Sequence, residues 1–169
     1  GLGIPAEPLF RSASLDELKD AIRDIVRQCG SPLLQLSGGE PALPDDLPEL
    51  TRFAKEAGCG CVQLNTNGLR LAQEPEYAKN LADAGLDIVF LQFDGTRDDI
   101  YETLRGAKLL EIKKEAIRVC GESRLGVTLV PTVVRGVNDD HLGNDASRGL
   151  LFNALQYVQD CFFTVINGN

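Results

Sequence analysis

Four short apolar segments, each followed by a polar cluster, alternate with amphipathic helical segments along this chain. The apolar segments begin near Leu33, Cys61, Ile88 and Arg124. Strands that alternate with helices form parallel βα units joined by right-handed crossovers. Functional groups in such folds concentrate at the C-terminal ends of the strands, where all four polar clusters fall. The pattern therefore predicts an α/β fold of parallel strands with outer helices and a site at one end.

The helical segments carry recognisable start and stop residues. Ser14 and Glu17 have the spacing of a capping box, and Gly30 is placed to end the helix that this box would begin. Asp46 and Glu49 repeat the same spacing before the next amphipathic face. Further helices are predicted downstream, over about 76–84, 97–104 and 109–120.

The first strand runs into an unusual corner, Leu33-Leu-Gln-Leu-Ser-Gly-Gly-Glu-Pro41. Its apolar residues are typical of a strand that is covered on both faces. Gly38 and Gly39 remove the side chains at the bend, so a ligand could approach the peptide groups closely. Glu40 adds a carboxylate that accepts hydrogen bonds only and suits an ammonium group. A simple βα turn with a solvated Glu explains the same residues equally well.

Five motifs occur in order within these clusters and helices. They are Leu36–Pro41, Thr66–Gly68, Phe93–Gly95, Ile112–Ile117 and Arg135–Asp140. In this order the chain resembles the radical S-adenosylmethionine (SAM) superfamily, in particular the branch of molybdenum-cofactor biosynthesis protein A and the archaeal tetraether lipid synthases. The resemblance runs from about residue 14 to about residue 142. Around Asp94 and Leu129–Thr132 the chain looks more like the lipid synthases.

The resemblance implies a partial (β/α)6 barrel of the TIM type, as one domain over residues 1–169. This chain would supply roughly strands two to five or six, with the first strand missing. Because the chain opens at Gly1 without Met and contains no Met, we interpret it as a piece of a larger enzyme. Residues 143–169 match no family motif, but helical spacing over 150–158 and an apolar run over 161–166 predict a helix and a strand.

The function that the resemblance implies is SAM-dependent radical chemistry. In the intact enzyme, a [4Fe-4S] cluster would cleave SAM reductively, and the resulting 5'-deoxyadenosyl radical would abstract hydrogen from a small-molecule substrate. An electron donor would be a further partner. The resemblance assigns Gly38, Gly39 and Glu40 to the methionine amino group of SAM. It places Thr66 and Asn67 near SAM, with a polar left-handed turn as the alternative for Asn-Gly.

Further candidate site residues follow the third and fourth strands. By resemblance, Gln92 and Asp94 would bind ribose or methionine groups, with helix capping as the alternative for Asp94. Thr128 stands where many relatives carry a Lys that faces the carboxylate of SAM. Asn138 matches the family's Asn-Asp stretch, and helix capping is again the alternative. Arg105 is the candidate cation near the substrate, with an ordinary solvated Arg as the alternative.

The cysteine pattern departs from that family. Relatives bind the cluster through Cys-x3-Cys-x2-Cys upstream of the Gly-Gly-Glu motif, since iron-sulfur clusters need thiolate ligands. Cys29 is the only cysteine before Gly38, and the remaining cysteines also lack this spacing: Cys59, Cys61, Cys120 and Cys161. We therefore expect no metal site in this chain, reduced buried thiols, and no radical chemistry from this piece alone.

Composition narrows the class of partner. The chain has 169 residues, 43% of them hydrophobic, which is enough for a normal core in one domain. A formal net charge of -8 argues against a nucleic-acid partner. No apolar run approaches the roughly 20 residues of a transmembrane segment. Five scattered cysteines indicate a reducing compartment, so a cytoplasmic location is expected.

The sequence is also compatible with two other classes of function. One is a noncatalytic binding module that descends from radical enzymes and has lost the cluster. The other is a metal-independent barrel lyase or aldolase, which would need a Schiff-base Lys or a charged pair at a strand end. The lysines stand instead at helical positions: Lys55, Lys79, Lys108, Lys113 and Lys114. The single histidine, His141, has no acid and nucleophile pattern near it and is not expected to be catalytic.

Overall fold

A computed structural model describes residues 13–139 and the backbone of residues 158–161 and 164–165. Its helices are α1 (Leu15–Cys29), α2 (Leu47–Ala57), α3 (Leu69–Gln73), α4 (Pro75–Asp83), α5 (Asp98–Arg105) and α6 (Leu110–Glu122). Its strands are β1 (Leu33–Leu36), β2 (Cys61–Thr66), β3 (Ile88–Gln92), β4 (Gly126–Val130), β5 (Thr132–Val133), β6 (Val158–Cys161) and β7 (Thr164–Val165). Within this part of the chain, no helix has the length and apolarity that crossing a membrane requires.

Five strands form one sheet in the order β1-β2-β3-β4-β6, and every neighbouring pair is parallel. The short strands β5 and β7 form a second parallel pair. The predicted α/β fold of parallel strands is therefore confirmed. Because parallel strands all run the same way, the C-terminal ends of β1 to β4 meet at one edge of the sheet.

The two faces of the central strands differ in chemistry. One face carries fully buried apolar side chains that form the core with the helices: Val62, Leu64, Val89, Leu91, Val127 and Leu129. Side chains alternate along a strand, so the neighbours of these residues point to the other face. That second face brings Asn65, Phe90 and Thr128 into register, with Gln92 opposite Val130 in the next layer.

Strand β1 departs from the expected burial. Leu33 is 59% exposed, and Leu34 and Leu36 are only partly buried. The prediction of a strand covered on both faces is thus wrong for β1. The reason is its place at the edge of the sheet, where β2 is its only neighbour among the strands that the structure describes.

The two predicted capping boxes have different outcomes. At α1, the Glu17 amide donates to Ser14 Oγ and the Ser14 amide donates to Glu17 Oε2, as predicted, and Gly30 ends the helix. At α2, Asp46 makes no side-chain cap, so that prediction is wrong. Asp46 has helical backbone angles instead of the extended angles of a capping residue, and Pro48 at the second helical position has no amide to donate.

Several elements differ from the predicted pattern. Helix α3 directly follows Gly68 and was not predicted. Most other ends lie within one or two residues of their predicted places. Val158, expected in a helix, begins β6, while Thr164–Val165 falls in the predicted final strand. The predicted helix over 150–157, together with Asp140 and His141, lies outside the described residues.

Gly68 offers a direct test of packing at the end of β2. Its φ is 77°, and an added Cβ would lie 2.3 Å from Leu91 Cδ1 and 3.2 Å from Ala116 Cβ. We expect Gly68→Ala to lower the free energy of unfolding by about 2–5 kcal/mol, from backbone strain plus overpacking. Gly106 is the matched control, because it has a similar φ of 74° but open space around its Cβ position.

Chemical denaturation of both variants measures the difference. Gly106→Ala should lower the free energy of unfolding by the backbone strain alone, about 1–2 kcal/mol. Equal losses in the two variants would show that the turn does not press on Leu91 and Ala116.

Candidate functional site

A cavity of about 410 Å³ opens at the C-terminal ends of the central strands. Most of the residues predicted to form a site line it: Gly38, Gly39, Glu40, Thr66, Asn67, Gln92 and Arg105. Asn65, Val130 and Thr132 complete the lining. This volume lies in the range of small-molecule sites. The topology therefore gathers segments that are far apart in sequence around one space.

Glu40 is held rigidly at the cavity wall by three donors. Thr66 Oγ1 donates to Glu40 Oε1 at 2.6 Å, and the Ala42 amide donates to the same oxygen at 3.0 Å. The Asn67 amide donates to Oε2 at 2.7 Å. A carboxylate has about four acceptor positions, so three donors leave capacity for one more. Glu40 is thus an oriented anion, and the alternative of a freely solvated Glu does not describe it.

The turn after β2 is built from its own polar groups. Asn67 Oδ1 accepts from the Leu69 amide at 2.8 Å, and the Gly68 amide donates to Thr66 Oγ1 at 3.1 Å. The left-handed turn considered for Asn-Gly is therefore present, and it coexists with a place in the cavity lining. The Thr66 hydroxyl accepts from the Gly68 amide in the turn and donates to Glu40 in the cavity wall. The same residues therefore form the turn and line the cavity.

Arg105 forms the cationic side of the cavity. Its Nε donates to Asp94 Oδ2 at 2.8 Å, and its Nη2 donates to Thr132 Oγ1 at 3.3 Å. With the Gln92 amide turned so that its oxygen faces the guanidinium, that oxygen accepts from Nε at 2.8 Å. The side chain of Arg105 is only 33% exposed. It is therefore fixed in the cavity wall and is not an ordinary solvated Arg.

Asp94 lies behind Arg105 and does not line the cavity. Its side chain is 0% exposed, and besides the guanidinium it accepts from the Thr132 amide at 3.0 Å. It does not cap α5, whose N-cap is Arg97. Asp94 thus orients Arg105 and the segment after β4.

Thr128 and Asn138 also lie outside the cavity lining. Thr128 is buried on β4 opposite Phe90, one layer below Gln92 and Val130. Asn138 is fully buried, and its Nδ2 donates to the carbonyls of Asp94 and Thr132 at 2.8 and 2.9 Å. Asn138 therefore fastens the segment after β4 and caps no described helix.

Sequence reasoning missed Lys113, which approaches the site from α6. Its side chain is 1% exposed, and its Nζ donates to the Asn67 carbonyl at 2.5 Å. Burial lowers the pKa of Lys113 to about 8, against the opposing effects of Asp94 and Glu40. The available clue was a Lys at a position that helical spacing assigns to the buried face of α6. Its amine does not line the cavity, so it does not supply the exposed Schiff-base Lys of an aldolase.

A second missed residue, Arg70, holds the segment that leaves the cavity after Glu40. Its Nη1 donates to the carbonyls of Ala42 and Leu43 at 3.0 and 2.8 Å, and its guanidinium lies 3.8 Å from the centre of the Tyr77 ring. Asp45 accepts from Nη2 at 2.6 Å. This one side chain from α3 therefore fixes several backbone groups of an irregular loop.

The described part of the chain does not fit an iron-sulfur cluster. Cys29, Cys59, Cys61 and Cys120 are free, and among the described residues no three His, Cys, Asp or Glu side chains are arranged to hold a metal ion. Burial raises the pKa of the Cys120 thiol to about 12 and also raises the pKa of Cys59. Both changes disfavour the thiolate form that binds metals.

The chain is similar to several known enzymes. It is 37% identical to a 7,8-dihydro-6-hydroxymethylpterin dimethyltransferase of Methanocaldococcus jannaschii, over 86% of this chain and 31% of that enzyme. It is 32% identical to a GTP 3',8-cyclase of Limosilactobacillus fermentum, over 83% of this chain and 42% of that enzyme. This chain thus spans well under half the length of either relative.

Solved structures share the fold at low sequence identity. Native anSMEcpe with bound AdoMet superposes with a TM-score of 0.71 and 16% identity, over 98% of this chain and 45% of that one. Methylornithine synthase (PylB) gives the same TM-score and identity, over 93% of this chain and 45% of that one.

The family assignment rests on sequence. The profile of the Radical SAM superfamily matches residues 3–148, most of the chain. Members of this family use SAM and a [4Fe-4S] cluster. With the relatives above, this match shows that the chain belongs to the Radical SAM superfamily.

Proposed function

We propose that this chain is the SAM-binding portion of a radical SAM enzyme. The observation that carries the proposal is the meeting of an open glycine corner, an oriented carboxylate and a fixed guanidinium around one cavity. Gly38 and Gly39 line that cavity, and a Cβ at either position would meet no atom within 4 Å. The backbone there is therefore accessible to a ligand.

The charges of the cavity match the ammonium and carboxylate groups of the methionine part of SAM. Glu40 keeps one free acceptor position, which suits the ammonium group. Arg105 is the one cation among the described lining residues, and a guanidinium suits a carboxylate. We assign the carboxylate contact to Arg105 because Thr128, at the position where many relatives carry Lys, carries no charge and is buried below the cavity.

The residues of this chain contribute binding and orientation. In the intact enzyme, a [4Fe-4S] cluster would supply the reducing electron for radical chemistry on SAM. The described residues hold no ligand set for that cluster. Glu40, Gln92 and Arg105 would fix SAM while the cofactors carry the chemistry.

We also propose a small-molecule substrate and a separate electron donor for the intact enzyme, which we place in the cytoplasm. The names of the two relatives, a pterin dimethyltransferase and a GTP cyclase, support a small-molecule substrate. The closer likeness to tetraether lipid synthases in sequence motifs stays a prediction.

A second candidate is a noncatalytic SAM-binding module that has lost the cluster. Among the described residues, no three metal-binding side chains come together. Anaerobic reconstitution of the natural full-length protein with iron and sulfide separates the two candidates. A cluster spectrum with SAM cleavage supports the enzyme, and SAM binding without a cluster supports the module.

Titration of the ¹⁵N-labelled chain with SAM, followed by NMR, tests the binding proposal. NMR detects millimolar affinity, which allows for weak binding without a cluster. We expect shift changes concentrated at Gly38, Gly39, Asn67 and Arg105. An unchanged spectrum, or changes confined to residues outside the cavity, would reject the proposed site.

A further inference from the structure

We propose that Lys113 is a positioning residue, whose buried amine orients the Glu40 carboxylate through the peptide group between Asn67 and Gly68. The effect on SAM rests on the proposed function, whereas the effect on Glu40 rests on the structure alone. The route is a continuous series of hydrogen bonds from a cation to an anion.

The series consists of three hydrogen bonds, and each shares a peptide group or a hydroxyl with the next. Lys113 Nζ donates to the Asn67 carbonyl at 2.5 Å. The amide at the other end of the same peptide group, that of Gly68, donates to Thr66 Oγ1 at 3.1 Å. Thr66 Oγ1 in turn donates to Glu40 Oε1 at 2.6 Å. Hydrogen bonds in such a chain polarise one another, so a positive charge at one end strengthens the bond at the other.

The packing of α6 makes this contact possible. Gly68 lies against Leu91 and Ala116, where a side chain at position 68 would not fit. The turn therefore sits directly on α6, and Lys113 is one helical turn away from Ala116. Lys113 is 1% exposed, and burial of an ammonium costs free energy that favourable contacts must offset. The hydrogen bond to the Asn67 carbonyl, which holds the turn beneath Glu40, is such a contact.

The charge of this amine depends on pH in an accessible range. Burial lowers the pKa of Lys113 to about 8, with Arg105 also lowering it and with Asp94 and Glu40 raising it. These are the charged groups that face it, from the segments after β1 and β3 and from α5. Above the pKa, the amine loses the charge that polarises the chain to Glu40.

Raising the pH through the pKa of Lys113 is expected to change stability and SAM affinity in opposite directions. The folded pKa of Lys113 lies below the usual Lys value of 10.5. Between these two pKa values the unfolded chain binds more protons, so the stability contribution of this group rises with pH. A merely structural Lys would change stability with pH in the same way but would leave SAM affinity unaffected by its charge. If Lys113 positions Glu40, SAM affinity falls as the pH rises through the pKa of Lys113, while the stability contribution of Lys113 rises.

The experiment compares Lys113→Met with Lys114→Met, a control on the same helix whose side chain is exposed and pairs with Glu111. SAM affinity is measured by NMR titration near pH 7 and near pH 9.5, on either side of the pKa. We expect Lys113→Met to weaken binding about tenfold near pH 7 and less than about threefold near pH 9.5, while Lys114→Met matches wild type. The titration of SAM itself cancels in these ratios.

A second measurement does not need SAM. Amide hydrogen exchange should show lower protection of Gly68 in Lys113→Met, while Val89 in the middle of β3 stays unchanged. If wild type binds no SAM, the proposed function fails, and Gly68 protection alone decides the role of Lys113. Unchanged protection, or an affinity gap equal at both pH values, overturns the proposal. If Lys113→Met does not fold, the test uses wild type alone. The hydrogen-exchange protection of the Gly68 amide should then fall relative to that of Val89 when the pH exceeds the pKa of Lys113, and an unchanged ratio overturns the proposal.

Discussion

Replacing Arg105 by alanine is expected to lower the free energy of unfolding by about 2–3 kcal/mol, less than for a fully buried ion pair because a third of the Arg105 side chain is exposed. Asp94 is 0% exposed, so loss of the guanidinium would remove the cation beside its carboxylate and leave the Thr132 amide as a donor to it. The measurement is denaturant unfolding of the variant beside wild type.

Arg97→Ala is the matched control for this prediction. Arg97 pairs with Asp99 on the surface, where both side chains are more than half exposed, so its loss should cost less than about 1 kcal/mol. The double variant Arg105→Met with Asp94→Asn should recover part of the loss, because it removes the unpaired buried charge. Equal effects of Arg105→Ala and Arg97→Ala would contradict the buried pair.

Glu40→Gln is expected to weaken SAM binding by about tenfold to a hundredfold, since a hydrogen bond to a charged group contributes about 1.5–3 kcal/mol. The substitution keeps the shape of the side chain but removes the charge. It also replaces one acceptor oxygen by an NH2 group, which must then face the Asn67 amide or the Ala42 amide. Both the ammonium contact and the alignment of the carboxylate would be lost.

Glu49→Gln provides the control for that experiment. Glu49 is an exposed residue of α2 that pairs with Lys19, away from the cavity. Its substitution should leave SAM affinity unchanged. If Glu40→Gln bound SAM as wild type does, Glu40 would be structural and the assignment of the ammonium group would be wrong.

Much of the site was accessible from the sequence because of one rule of parallel sheets. Polar residues that follow successive strands end at the same edge, so Glu40, Thr66, Gln92 and the turn at Gly68 could be placed together without a structure. The sequence also indicates Arg105 as a site residue but does not indicate its partner. Nothing local relates residue 105 to Asp94, which stands on another segment and was expected to face a ligand.

Helix-borne groups were harder to place. In the sequence, Lys113 resembles the other helical lysines, because its neighbours do not show how deeply α6 packs against the turn. The cap predicted at Asp46 failed for a related reason, since its backbone angles depend on the loop that Arg70 fastens. Asn138 matched a family motif, yet its partners are carbonyls 6 and 44 residues away.

The sequence by itself determined the family, the parallel order of strands and helices, and the end of the sheet at which a site would lie. Those properties follow from short-range periodicity, turn residues and motifs, which act over a few residues. Only the tertiary structure decided which polar groups face the cavity and which support it from behind. That division depends on burial and on hydrogen bonds between distant segments, as the path from Lys113 to Glu40 shows.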